Sequence, residues 1–279
     1  MTRRLILLTL ICLPAALPLS ATGGNEPGGG AAPAATAGAW TAVRGSLWSL
    51  WHNPAAITGT PGIQAGAYFS RQFLLSELSY GSAGAVIPFA GSQAAGLRVS
   101  SFGFDAYRES RASASYGITV IEVLSIGVTV NAANLSIRDY GSATTFYADA
   151  GVHLQLNEQV HLGFSALNIN RAQLNSSTGF REDLPTVLTA GVSYQPTGKV
   201  RIVADAAKDV DHPLSVSGGI EYEILPALTA RIGAGNGPVR LSGGLGLAWQ
   251  QVRLDLAFQY TERLGYTPHL SLAWAGSGR

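Results

Sequence analysis

The chain has 279 residues, of which 13% are charged, 47% are hydrophobic and 34 are glycine. Soluble domains carry about 25% charged residues and about 7% glycine, so this composition points away from a cytosolic enzyme and toward a chain whose outer surface meets lipid. With Arg3 and Arg4 removed in a leader, 16 of the 18 basic residues remain against 17 acidic ones. That balance offers no basic field for a nucleic-acid backbone.

Residues 1–21 have the form of a secretory signal: Arg3 and Arg4, an apolar run from Leu5 to Leu13, and a small-residue end near Ser20 and Ala21. The single cysteine, Cys12, falls inside it, so the exported chain carries no disulfide. No later stretch reaches the roughly 18 consecutive apolar residues that a membrane helix needs. A closed barrel is the other structure that satisfies every backbone group in lipid. Residues 22–36, TGGNEPGGGAAPAAT, are too poor in large apolar groups to fold and read as a flexible periplasmic tether.

Residues 37–58 form a distinct unit. Trp40, Val43, Leu47, Leu50 and Trp51 follow spacings of 3, 4, 3 and 1, which predicts a short amphipathic helix. Pro54 pushes Asn53 out of the helical region, so the chain is expected to turn at His52 and Asn53 and to leave extended. Gly38, Ala39, Ala42, Trp48, Leu50, Asn53, Pro54, Ala55 and Ile57 make a pattern that resembles the N-terminal hatch of FadL-type outer-membrane barrels, and within them the smaller PorV/PorQ-like group. Members of that group carry acids about where Arg44, Gly45 and Ser46 stand, so this chain departs there. The resemblance implies a plug built on Trp40, Trp48, Trp51, Asn53, Pro54 and Ala55.

From residue 59 to the end the period changes to two. Ala65, Ala67 and Phe69 alternate with Gln64, Gly66 and Tyr68; Leu124, Ile126, Val128 and Val130 alternate with Ser125, Gly127, Thr129 and Asn131. Fourteen such segments run from 61–70 to 265–275, and the turns between them are alternately tight and long. An all-β chain, a 14-stranded antiparallel transmembrane barrel with a short helical hatch, is predicted. Tyr194, Tyr222, Trp249 and Trp274 recur at the lower ends of returning strands as one interfacial girdle. Only the second and third strands, around Leu78–Phe89 and Gln93–Phe104, alternate poorly; with Pro88 unable to donate a ladder bond, they are where the sheet could open sideways.

Charges of both signs fall on the inward face: Arg201, Asp205, Glu221, Glu223, Arg231, Arg240, Arg253 and Asp255. Mixed signs predict pairing with each other and with the hatch, since an ion filter calls for one sign in a ring. His153 and His161 flank a tight turn and both point inward, but no third metal ligand is identifiable, so no metal is expected. No nucleophile, histidine and carboxylate share a recognisable spacing. Neither an enzyme activity nor a cofactor is expected. Arg171, Phe180 and Arg181, in the long outer loop 168–184, are the candidates for contact with a partner.

The expected molecule is a monomeric outer-membrane barrel in contact with outer-membrane lipid. PorV/PorQ-like relatives imply a part in type IX secretion, with secreted cargo proteins or secretion-system components as partners. FadL-like relatives imply passage of long-chain fatty acids or other hydrophobic ligands. An apolar pocket between hatch and wall would mark the transporter, and a smooth, filled lumen the secretion partner.

Overall fold

The computed structural model describes residues 28–175 and 181–276. The leader 1–21 and residues 22–27 of the tether lie outside the described residues.

Fourteen strands close into one antiparallel barrel. In chain order the strands are β1 (Gln64–Arg71), β2 (Ser79–Phe89), β3 (Gln93–Phe104), β4 (Tyr107–Ile121), β5 (Leu124–Ile137), β6 (Gly141–Gln155) and β7 (Val160–Leu167). A small hairpin follows, β8 (Gln173–Asn175) with β9 (Arg181–Asp183), outside the barrel sheet. The wall continues with β10 (Val187–Thr197), β11 (Val200–Asp209), β12 (Ser215–Leu225), β13 (Leu228–Asn236), β14 (Val239–Trp249), β15 (Val252–Thr261) and β16 (Gly265–Ala275). Each strand pairs with its chain neighbour, β7 pairs directly with β10, and β16 pairs with β1 to shut the cylinder. Closure removes both edges, which in lipid would leave backbone groups unpaired.

Period-two alternation decides which face meets lipid. Leu97, Val99, Val128, Val130, Phe146, Ile232, Leu241 and Phe258 are all exposed on the outside, an apolar belt that only a bilayer explains. Tyr194, Tyr222, Trp249 and Trp274 lie on the same outer face, Trp249 at 78% exposure. They stand at the end where the tight turns are, as an interfacial girdle would.

The core is the lumen, and residues 28–60 fill it. Three expectations are corrected here. Residues 28–36 are no tether: Ala31–Ala35 form a one-turn helix, α1, lodged beside β13 to β16, with the Ala31 N–H donating to Ser271 Oγ at 3.1 Å. Small side chains are what lets a helix fit so close to the wall. The amphipathic helix over 40–51 is only a 3-10 turn, Leu47–Trp51, capped by Ser46. Gly38 and Gly45, at φ 83° and 79°, bend the chain before it. After Pro54 the chain does not leave extended; it makes a second 3-10 turn, Ala56–Gly59, before β1 begins.

The wall corrects two more. The second strand, expected over 75–89, starts only at Ser79, because Gln72–Leu74 and Ser76–Leu78 are 3-10 turns. The β2 and β3 ladder is also continuous from Tyr80 opposite Phe102 to Phe89 opposite Gln93, with Pro88 opposite Ala94. There is no sideways opening in this part of the wall.

Candidate functional site

The site is the seam between hatch and wall, and it has two sides of different chemistry. Toward β1, β2 and β3 the seam is apolar and aromatic. Trp40, Val43, Leu47, Trp48, Leu50 and Trp51 form one buried cluster with Tyr68, Tyr80, Val86 and Ala94 of the wall. Ring contacts run through it: Trp51 to Trp48 at 5.6 Å, Trp48 edge-on to Tyr68 at 6.4 Å, and Tyr68 to Tyr80 at 5.8 Å. The poor alternation of β2 and β3 now has a cause. Tyr80, Val86 and Ala94 on their inward face meet an oily hatch instead of water, so the contrast between the two faces is weak.

Toward β11 to β15 the seam is ionic. Arg201 pairs with Glu221 at 2.9 Å, Glu221 with Arg231 at 2.5 Å, Arg231 with Asp255 at 2.8 Å, and Asp255 with Arg253 at 3.2 Å. The chain of charges crosses β14 at Gly246, where an added Cβ would stand 2.3 Å from Asp255 Oδ1. Buried ion pairs cost desolvation and hold only when each charge keeps its partner, which fixes the relative positions of β11 to β15. Glu223 lies near the turn end of β12, outside this chain of pairs.

Two of the inward charges hold the hatch itself. Asp205 Oδ2 accepts from the Trp40 and Thr41 N–H groups, both at 3.0 Å. Arg240 Nη2 donates to the Ala37 carbonyl at 2.9 Å.

The Asn53-Pro54 turn is the centre of the hatch. Asn53 is fully buried, and its Nδ2 donates to the Thr41 carbonyl at 2.9 Å and to the Val152 carbonyl of β6 at 3.0 Å. Its Oδ1 accepts from the Ala55 N–H at 3.0 Å. One amide thus ties together both ends of the hatch and the wall, which only asparagine or glutamine has the donors and acceptor to do. Pro54 and Ala55 lie against inward glycines: a Cβ on Gly127 would be 2.4 Å from Pro54 C, and one on Gly151 would be 2.1 Å from Asn53 Oδ1. Gly84 and Gly96 make the same allowance for Trp51 and Leu50, and Gly163 for Thr41. The glycine-rich inner face is a socket for the hatch.

Sequence reasoning missed a second polar anchor. Arg98 of β3 donates to the Leu50 carbonyl at 3.1 Å and to Asn131 Oδ1 at 3.2 Å, with Asp149 Oδ2 3.8 Å away. Asn131 in turn donates to Asp149 at 2.8 Å. Asn131 and Asp149 were legible as inward positions; Arg98 was not, because its strand lacks clear alternation. Arg44, the departure from the acidic hatch pattern, donates to Gln155 Oε1 at 2.8 Å and Thr119 Oγ1 at 3.2 Å.

His153 and His161 do come together, with ring centroids 5.2 Å apart. Among the described residues no third His, Cys, Asp or Glu completes a metal-binding group with them. The outer loop folds back as the β8–β9 hairpin. Leu174 and Leu184 bury against Ala133, Leu135, Ala143 and Tyr147, leaving Arg171 and Arg181 exposed. Arg181 donates to Gln173 within the hairpin. Phe180 lies outside the described residues.

Between the Asn53-Pro54 turn and the wall there is a cavity of about 10 Å³, edged by Leu50, Trp51, Arg98, Thr129, Asp149 and Ser165. That is room for one water. At this point the hatch and the wall leave no room for an apolar ligand.

No protein-family model matches the chain, and no curated protein sequence matches it. Solved structures do share its fold. The CymD monoaromatic hydrocarbon channel aligns at a TM-score of 0.67 and 15% identity, over 91% of this chain and 99% of that one. A FadL homologue from Pseudomonas aeruginosa aligns at 0.67 and 13% identity, over 92% and 100%. The toluene transporter TodX of Pseudomonas putida aligns at 0.64 and 13% identity, over 89% and 96%. The fold is thus that of FadL-type barrels, as the hatch pattern implied, and these structures do not bear on the narrower PorV/PorQ likeness.

Proposed function

We propose that the chain is exported by residues 1–21 to the bacterial outer membrane and there passes small hydrophobic molecules across it, with the hatch of residues 28–60 as its stopper. The observation that carries this reading is the apolar side of the seam. A channel for polar solutes calls for a polar lumen, whereas here a continuous aromatic track of Phe102, Tyr80, Tyr68, Trp48 and Trp51 leads from the outer end of the barrel to the hatch. The filled seam is the closed state. Opening requires the hatch to shift along this track, and the ionic side keeps the barrel rigid while it does.

The similar solved structures are described as monoaromatic hydrocarbon channels and a toluene transporter, which supports the same reading. The secretion role rests on the PorV/PorQ likeness of the hatch pattern and on the filled lumen, which in the transport reading is the closed state. The test is uptake of labelled toluene by cells whose outer membrane lacks other hydrocarbon channels. Faster uptake with the protein in the outer-membrane fraction is expected; equal uptake with and without it contradicts the proposal.

A further inference from the structure

Above Trp48, the wall carries a patch that passage of plain hydrocarbons does not use. One register row sets His269, Ser70, Tyr80 and Phe102 side by side on β16, β1, β2 and β3. The row below, toward the hatch, sets Ser271, Tyr68 and Ser82 together. Across β16, β1 and β2 rings alternate with small hydroxyls in both directions. The Tyr68 hydroxyl and His269 Nδ1 are 2.7 Å apart, and the two rings stack 11° from parallel at 6.0 Å. A roof closes the patch where the Phe73 N–H donates to Thr267 Oγ1 at 3.1 Å. Phe73 and Leu74 hold φ of 53° and 62° there, a left-handed pair that bulky residues adopt only when their surroundings impose it.

Inside this box Ser70 Oγ, Ser82 Oγ and His269 Nε2 are buried without a hydrogen-bond partner. Ser70 is 0% exposed and His269 7%. Tyr68 and Ser70 are next but one on the inner face of β1, so their hydroxyls are near neighbours. Buried polar atoms are nearly always paired, and three unpaired in one place call for a reason.

We propose that this box binds a hydroxylated single-ring aromatic compound, a phenol, whose hydroxyl meets His269 Nε2 and Ser70 Oγ while its ring takes the place of Trp48 against Tyr68. The inference rests on the transport reading above and names its substrate class. The tautomer of His269 explains the choice of a hydroxyl. If the Tyr68 hydroxyl donates to Nδ1, Nε2 carries the proton and needs an acceptor; if Nδ1 donates, Nε2 needs a donor. A hydroxyl is both. A hydrocarbon offers neither. A carboxylate would lie buried beside neutral groups, since Arg98 on the neighbouring β3 is engaged with Leu50 and Asn131.

The experiment compares phenol with toluene, which differ by a hydroxyl in place of a methyl, binding to the purified full-length barrel in detergent at measured free concentrations. His269→Phe is expected to lower the ratio of phenol to toluene affinity about tenfold, as when a buried polar contact is removed. Ser70→Ala lowers the ratio by a smaller factor and perturbs packing least. Heat-modifiable migration shows that each variant is folded. A ratio unchanged in both variants overturns the inference, and means that the box holds only water. If neither compound binds the wild type, the transport reading itself fails, and with it this site; if toluene binds and the ratio ignores both substitutions, only the substrate class fails.

Discussion

Gly151→Ala tests the socket at its tightest point. The new methyl would stand 2.1 Å from Asn53 Oδ1 and 2.8 Å from Pro54 Cδ, closer than van der Waals contact permits, so one side must give. The strand has no reason to: Gly151 does not occupy a left-handed conformation, and its neighbours Gly127 and Ser165 pair in regular register. The hatch gives instead. Overpacking of this kind costs about 1–3 kcal/mol, and displacing Asn53 weakens bonds to Thr41, Val152 and Ala55 that are worth about 1 kcal/mol each. A net loss of about 2–3 kcal/mol raises the undocked fraction of the hatch roughly 30- to 140-fold. When opening and closing are fast, protease cleavage within residues 37–58 tracks that fraction. The expected result is a matching rise in hatch cleavage with the barrel still resistant. Gly81→Ala is the control, since a Cβ there meets nothing within 4 Å. Equal cleavage in both variants would refute the socket.

Asp205→Ala leaves the Trp40 and Thr41 N–H groups buried without their acceptor; about 2–4 kcal/mol of hatch docking is lost, seen as faster hydrogen exchange at those two amides. Arg231→Met leaves Glu221 with Arg201 alone and Asp255 with Arg253 alone. A wholly broken buried pair costs about 3–5 kcal/mol and this partial break costs less, so the temperature at which the folded band unfolds in gels should fall by a smaller step, while a volume-matched apolar replacement of Arg201, Glu221, Arg231, Arg253 and Asp255 together restores it. Burial and the neighbouring Glu109 raise the Glu182 carboxyl above its ordinary range, against a smaller lowering by Arg111. The folded hairpin therefore holds that proton more tightly than an open one does. Its stability is highest below the ordinary carboxylate pKa and falls as pH rises through it toward the raised value. Amide exchange across the described parts of 168–186, corrected for intrinsic rates, should show this loosening between acid and neutral pH, and Glu182→Gln should abolish it.

The strands were legible because a barrel wall separates lipid from water, and that contrast imprints period two on β1, β4, β5 and β6. Where the contrast vanishes, so does the pattern. Tyr80, Val86 and Ala94 face an apolar hatch across the seam, and β2 and β3 therefore looked disturbed although their ladder is intact. The stripe Trp40, Val43, Leu47, Leu50 and Trp51 suggested one helix because a helical face is the usual way to bury such spacing. Here the segment is enclosed by the wall on all sides and needs no single face, so Gly38 and Gly45 can bend it freely. The tract at 28–36 looked unfoldable for want of large side chains, yet that smallness is what fits Ala31–Ala35 beside β14 and β15.

The inward charges could be read from alternation, and so could the expectation that they pair. Their individual partners could not. Glu221 meets Arg231 in direct register, but Arg231 reaches Asp255 over a glycine of an intervening strand, and Asp205 holds backbone amides 164 and 165 residues away in sequence. The glycine content was legible only as composition. Its use as a socket depends on where Asn53 and Pro54 sit, which no local pattern records.

The most direct test of a movable stopper is to pin it. Ala31 N donates to Ser271 Oγ at 3.1 Å, so Ala31→Cys and Ser271→Cys place two thiols on neighbouring residues of hatch and wall, and a bridge forms if their Cβ atoms meet the geometry a disulfide needs, in a chain whose one cysteine, Cys12, belongs to the leader segment. Toluene uptake by cells carrying this variant should stop when the bridge is oxidised and return on reduction. Uptake that is the same in both states would show that molecules do not pass by way of the hatch.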